Sequence, residues 1–459
     1  MIDSEIINSI EKLSCFRKKC TDLISQDLIF SDSLWFATWS KNSSGDMVAR
    51  YLLNEITLYS FCIFFIKKTI FNYFRCFFFR RRIHFYNSEN ISHKKYFYQT
   101  WINLNETDKI ILNYKDKYFS NFFQEAYKLK SVIPIIISIN PKNLNNININ
   151  NEAIILSNSD LKYINIIEFT SALKKLFIAL YNFIFVFRAK NINEFLCGLF
   201  VSLNIIDIRQ ENSFKIYEYI NSFLKIYLRE NNSIPELYLP YEAQPEQTAL
   251  IKAWKENGGN VIGYIHSTLL TFPGHYIKLH INAPDQLWVH GSSYQKILSL
   301  FGWEESKIKK IKSLRYSILK PINIELSTIA LPYSTAALDF SISILKNLSK
   351  SGVKLRFLRP HPLTGVSKKD LKIINEIITE NILLKNLYST DNAIVCIGPA
   401  SLPLEILEQK MYCTVIHIPV SKSFIDRFDN SIWNEYIEFI NLGEAVVMNL
   451  KVNGAFICV

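Results

Sequence analysis

Glu236-Leu-Tyr-Leu-Pro-Tyr241, Pro245-Glu-Gln-Thr-Ala-Leu-Ile-Lys-Ala-Trp-Lys-Glu-Asn257 and Asn260-Val-Ile-Gly-Tyr-Ile-His266 decide the fold of this chain. The first and third runs are short, apolar and rich in aromatic or β-branched residues, which predicts strands. The second has Pro in its first turn and is stopped by Gly258-Gly259, which predicts a helix. A strand, a helix and a strand at this spacing predict a parallel pair with a right-handed crossover. Pro284-Asp-Gln-Leu-Trp-Val289 continues the pattern as a strand, followed by Gly291 and a helix through Leu300.

Working outward, a second unit begins after the basic stretch Lys307–Arg315. Strands are predicted at Ser327–Leu331, Val353–Leu358, Ala393–Ile397 and Tyr412–Ile418. Helices are predicted at Ser334–Lys350, Lys368–Asn381 and Leu402–Lys410. Toward the N-terminus the pattern is less regular. Residues 1–95 read as mostly helical, with a strand at Leu34–Trp39 and a polar turn at Ser40–Asp46. Strands are expected at Lys109–Asn113 and Ser131–Ser138, with a helical stretch near Phe119–Leu129. The Asn-rich run 140–151 reads as a loop, and 160–231 returns to helical periodicity. The fold class is α/β: two Rossmann-like doubly wound domains facing a cleft, with extra N-terminal helices. The division expected is residues 1–315, with helical insertions at 56–95 and 160–231, and residues 316–459.

The composition is globular, with 49% hydrophobic and 20% charged residues. A net charge of +11 favours anionic partners. No RNA-binding signature, zinc knuckle or basic repeat occurs, so nucleic acid is not among the expected partners. The eight cysteines form no C-x-x-C pair and read as free, mostly buried thiols of a reducing cytosol. Met-Ile-Asp-Ser-Glu lacks the layout of a signal peptide. Ile56–Phe79 is rich in Phe, Ile and Tyr, but Lys67, Lys68 and Arg75 leave no uncharged stretch long enough to span a bilayer. Two readings stay open for it and the following Arg80-Arg81-Arg82: a buried helix, or an interfacial helix on an anionic membrane surface. Leu176–Phe187 reads as core. A cytoplasmic protein is expected, with peripheral contact on the inner face of the membrane as the second option.

Candidate site residues cluster at strand ends, where open α/β sheets bind ligands. Arg356-Phe-Leu-Arg359-Pro-His361-Pro362 ends one strand, and Gly398-Pro-Ala-Ser401 lies between a strand and a helix. That helix start offers free N–H groups and a positive dipole end, so Gly398 and Ser401 read as part of a phosphate cradle. His361 would add a donor from the neighbouring strand, and Arg359 shares its strand end. Glu405 lies one turn into the helix, within reach of a ribose hydroxyl. Arg315 is a candidate phosphate or carboxylate partner near the interdomain linker. Glu242, just past a strand end, is the candidate base. His266 ends the next strand and is its candidate partner or an acceptor ligand. Glu246, Asp285 and His290 read as structural. No D-x-D motif or histidine cluster suggests a metal, and no cofactor is expected.

Tyr241-Glu242-Ala-Gln244-Pro245-Glu246, Gly263-Tyr264-Ile-His266-Ser267, Pro284-Asp285 with Gly291, and Leu314-Arg315-Tyr316 resemble bacterial surface-carbohydrate biosynthesis proteins of the O-antigen type. The His361-Pro362 and Gly398–Ser401 pair is similar to the nucleotide site of GT-B sialyl- and Kdo-type transferases. The resemblance covers about 235–420. It implies a GT-B glycosyltransferase that moves a sugar, a CMP-activated acidic sugar in the nearest case, from a nucleotide donor to a surface-polysaccharide or lipid-linked acceptor without a metal. His361 matches the family's phosphate-binding histidine. Ser401 matches one member of its Ser/Thr pair, while Ala400 and Leu402 flank it. Two alternatives remain: a non-catalytic polysaccharide-assembly protein with a GT-B shell, and a GT-B-type sugar-nucleotide epimerase.

Overall fold

The computed structural model of the chain describes residues 7–8, 11–16, 18–20, 51–52, 54, 56–78, 81–86, 96–102, 118–119, 122–123, 126, 129, 131–138, 154–160, 173, 177, 189–205, 208–266, 283–289, 292–311, 314, 327–331, 338–350, 355–359, 368–383, 393–397, 402, 406, 414–418, 437–442 and 445–450.

In chain order the first part runs α1 (Leu58–Phe78), β1 (Arg81–Tyr86), β2 (Tyr96–Ile102), β3 (Val132–Ser138), β4 (Ile154–Asp160), α2 (Ile192–Ile205), α3 (Ile208–Glu230), β5 (Glu236–Pro240), α4 (Pro245–Glu256), β6 (Val261–Tyr264), β7 (Gln286–Val289), α5 (Ser292–Leu300) and β8 (Ile308–Lys310). These strands form an 8-stranded sheet in the order β1-β4-β3-β2-β5-β6-β7-β8. All neighbours are parallel except β1, which runs antiparallel to β4. From β2 the chain winds first through β3 and β4, then returns to the other side of β2 for β5 to β8. That is the doubly wound order, and its reversal lies between β2 and β5.

Strand alternation sorts the side chains into two layers. Phe97, Leu237, Leu239, Tyr241 and Val261 belong to the larger core, under α3 and α4. There the Phe97 ring meets Phe223, Tyr227 and Trp254 edge-on, at centroid distances of 6.1, 6.2 and 5.3 Å. Tyr98, Tyr238, Ile262, Tyr264 and Trp288 face the other way, into a mostly aromatic layer with Phe119 and Phe123. Tyr98 stacks on Phe123 at 4.7 Å. At Gly263 the approach of β5 and β7 leaves no room for a side chain. A Cβ there would lie 2.8 Å from Pro284 Cγ and 3.0 Å from Tyr241 Cβ.

The remainder runs β9 (Thr328–Ala330), α6 (Leu338–Lys350), β10 (Phe357–Arg359), α7 (Lys368–Leu383), β11 (Ala393–Ile397), β12 (Thr414–Ile418), β13 (Ile437–Leu442) and β14 (Ala445–Leu450). It forms a 6-stranded sheet in the order β10-β9-β11-β12-β14-β13. The first four strands are parallel, and the β13–β14 hairpin adds antiparallel to β12. Ile329, Val395, Ile397 and Ile416 pack against residues of α6 and α7 such as Leu345, Leu348, Ile374 and Ile377. On the opposite face Ala330, Ile394, Cys396 and Val415 belong, with Leu402 and Ile406, to the same apolar cluster as the core of the first sheet.

The parallel strands expected from 236 onward are found, each within a few residues of its expected bounds. The basic run after α1 differs: Arg81 and Arg82 open an edge strand and do not prolong a helix. The expected helical insertion 56–95 is therefore part helix and part strand. Tyr96–Ile102, which the sequence left unassigned, is central strand β2. The strands β13 and β14 were likewise not anticipated. Val353–Leu358 begins its strand later, at Phe357. Leu34–Trp39, Ser40–Asp46 and Lys109–Asn113 lie outside the described residues. Among the described residues near 119–129, turns prevail, and Ala126 is helical. Cys15, Cys20, Cys62, Cys197 and Cys396 are free thiols; Cys15 is exposed, contrary to the expectation of burial. Among the described residues no helix is long and apolar enough to cross a membrane.

Candidate active site

β2, β5 and β6 run parallel, so their carboxyl ends share one edge of the sheet. Pro240 pairs with Tyr264, which puts Glu242 and His266, each two residues further on, beside one another. The His266 Nε2 lies 3.2 Å from Glu242 Oε1, and both side chains are largely buried. His266 is 4% and Glu242 14% exposed, so the carboxylate keeps the wider path to solvent. The other carboxylate oxygen, Oε2, accepts from Gln244 Nε2 at 3.1 Å. The Tyr118 ring packs against the imidazole in a T-shaped contact, 4.6 Å between centroids, and holds its plane. The two residues that the sequence assigned to proton transfer are thus brought together, and each holds the other's orientation.

The loop that carries Glu242 is fastened by Gln247, a fully buried residue in the first turn of α4. Its Oε1 accepts the backbone N–H of Glu242 at 2.9 Å and of Gln244 at 3.3 Å. Its Nε2 donates to Pro240 O at 2.6 Å and to Gln99 Oε1 at 2.9 Å. The amide therefore ties β2, the end of β5 and the helix start into one unit across the reversal of winding. Between Glu242 and Gln244, Ala243 adopts a left-handed φ of 49°. For a residue with a Cβ this costs about 1 kcal/mol. The strain lies next to the candidate base and folds Gln244 back onto its carboxylate.

Thr100 and Gln99, on β2, complete the group. Two residues past the Tyr98–Tyr238 pair, Thr100 is level with Pro240 and shares the face of Tyr98. Thr100 Oγ1 and Gln99 Nε2 are buried and make no hydrogen bond among the described residues. In native proteins such atoms mark places where water or ligand completes the bonding. Sequence reasoning missed Gln99, Thr100, Tyr118 and Gln247. The available signal was a Gln-Thr pair in the middle of the aromatic run Tyr96–Ile102, and a second Gln three residues after Gln244.

Other sequence candidates fall elsewhere. Asp285 accepts from Val261 N at 3.0 Å and pairs with Lys255 at 2.9 Å, the structural role expected of it. Glu246 lies in the first turn of α4, also as expected. Arg359 ends β10, an edge strand, with its side chain exposed, while its carbonyl accepts from Leu331 N at 3.0 Å. The strand next to β11 is β9, not β10. His361, in the chain leaving β10, therefore does not come from the neighbouring strand, as the sequence reading had it. Arg315, His361, Gly398, Ser401, Glu405 and His290 themselves lie outside the described residues. Among the described residues no cluster of His, Cys, Asp or Glu could hold a metal ion.

No protein-family model matches the chain, and no curated protein matches it. Among solved structures, a glycosyltransferase from Rickettsia africae ESF-5 is similar at 12% identity over 66% of this chain and 72% of that one, with a TM-score of 0.31. At that score the likeness carries nothing further about this chain.

Proposed function

We propose that this chain is a glycosyltransferase that moves a sugar from a nucleotide donor to a glycan or lipid-linked acceptor, with Glu242 as the base. The observation that carries the reading is the Glu242–His266 pair, 3.2 Å apart at the carboxyl edge of a doubly wound sheet. Such an edge, at the reversal of winding, is where these sheets bind ligands. Glu242 takes the proton of the acceptor hydroxyl as its oxygen bonds to the anomeric carbon. The bond from that carbon to the donor phosphate breaks, and the electron pair leaves with the phosphate. His266 holds the carboxylate in position and stabilises its charge before the proton moves. The leaving phosphate is assigned to the second sheet, at the Gly398–Ser401 loop, with Arg315 and His361 as further cations or donors and Glu405 on the ribose.

The resemblance of residues 235–420 to O-antigen-type enzymes supports sugar transfer, and that of the His-Pro and Gly-Pro-Ala-Ser segments makes CMP the first donor nucleotide to test. Thermal shift of the purified chain with CMP, UDP, GDP and their sugars identifies the donor. Stabilisation by one nucleotide, and sugar transfer that Glu242→Gln abolishes without lowering the melting temperature, is the expected result. Transfer that survives in Glu242→Gln would remove the assignment of the base. Conversion of the nucleotide sugar with no acceptor present would redirect the reading to an epimerase.

A further inference from the structure

The helix α1 is apolar on both sides, and one of them is exposed among the described residues. Phe61 and Phe65 are buried, with Tyr51 against the Phe61 ring at 5.2 Å. Around the helix from them, Tyr59, Ile66 and Ile70 form a stripe at helical spacing, with 74%, 59% and 52% of their surfaces exposed. Phe71 is exposed beside them, and so is Lys67. A helix that is hydrophobic all round is ordinarily covered all round. Exposed apolar stripes of this kind mark a surface that docks.

The charge around the stripe says on what. Residues 56–86 contain Lys67, Lys68, Arg75, Arg80, Arg81 and Arg82 and no Asp or Glu. The whole chain carries +11. An exposed apolar stripe in a segment whose only charges are positive complements a surface that is apolar within and negative at its rim. We propose that the outward face of α1 docks in the plane of an anionic lipid bilayer, with Tyr59, Ile66 and Ile70 in the acyl boundary and the cations on acidic headgroups. The helix lies on the membrane and does not cross it, which agrees with the three cations inside Leu58–Phe78. Docking of this kind would hold the protein beside lipid-linked molecules whether or not the sugar-transfer reading holds.

The test is flotation of the full chain with vesicles of phosphatidylcholine alone, and of three parts phosphatidylcholine to one part phosphatidylglycerol. The wild type is expected to float with the second and not the first, and to be released by high salt. The double substitution Ile66→Glu, Ile70→Glu is expected to weaken binding by about tenfold or more. Both positions are exposed, so its circular dichroism and melting should match the wild type. Lys67→Gln leaves the apolar stripe intact and is expected to weaken binding about fivefold, for about 1 kcal/mol per cation. Failure of the wild type to float with anionic vesicles would overturn the proposal. So would equal flotation of the double variant, or a wild-type dimer in solution that the double substitution makes monomeric.

Discussion

In the first sheet the winding reverses between β2 and β5, and Gln99, Thr100, Glu242 and Gln247 gather there from both strands. In the second sheet it reverses between β9 and β11, because β10 lies on the outer side of β9. Arg359 therefore ends an edge strand, two strand spacings or about 10 Å from β11. Both sheets place polar residues beyond the carboxyl ends of parallel strands. What separates them is whether those strands flank the reversal. A polar residue at a strand end is a candidate; a polar residue at the reversal has a crevice and partners from both arms of the sheet. By that criterion β9, which lies beside β11, is better placed than β10, which lies beyond it.

That contrast can be broken or sharpened by substitution. The largest effect is expected at Glu242. Glu242→Gln keeps its size and should lower the rate of sugar transfer about a thousandfold, the usual worth of a positioned base. Steady-state kinetics with the donor found by thermal shift would show it; a loss under tenfold would move the chemistry elsewhere. Next is Gln247→Leu, which strips two backbone N–H groups and a carbonyl of their partner in a buried site. A stability loss of about 3 kcal/mol is expected in urea titration, together with a fall in kcat. Unchanged kcat in the folded variant would reduce Gln247 to scaffold.

Gly263→Ala should come third. The new methyl meets Pro284 Cγ at 2.8 Å and Leu287 Cδ2 at 3.0 Å. Overpacking of this kind costs about 1–3 kcal/mol, and the displacement of β5 from β6 should also loosen the Glu242–His266 pair. The smallest effects belong to the second sheet and set its two loops against each other. Ser401→Ala should raise KM for the donor roughly tenfold, as for loss of one good phosphate hydrogen bond. His361→Ala should raise it less than about threefold, because its strand is not beside the reversal. A larger effect for His361 would make it an equal partner of Ser401 at the leaving phosphate.

Much of the parallel framework could be read directly. Strands β5, β6, β7 and β11 are short, mostly apolar runs with glycine or proline in or near them, because both faces of a parallel sheet are covered. β2 escaped notice because Gln99 and Thr100 sit where a strand buried on both faces ought to be apolar. The residues that obscured the strand are the ones at the site. β1 was hidden by its arginines, which suit an exposed edge strand but look like the end of a basic helix. The β13–β14 hairpin could have been found: Leu442 and Ala445 pair across Gly443-Glu444, a two-residue connection between apolar runs. Of the site, Glu242 and His266 were each legible at a strand end. Their partnership depends on the β5–β6 register, and the contact to Gln99 on the adjacency of β2 and β5. Neither is written in local sequence.

The hydrogen bond from Gln247 to Gln99 joins residues 148 positions apart. Closing so long a loop must precede the bond, so this part of the molecule should assemble late in folding. During synthesis β2, β3 and β4 must wait with one flank of β2 open until the chain beyond 236 has emerged. A truncated chain ending before that point would keep a bare edge rich in tyrosine and tryptophan, prone to pair with other copies.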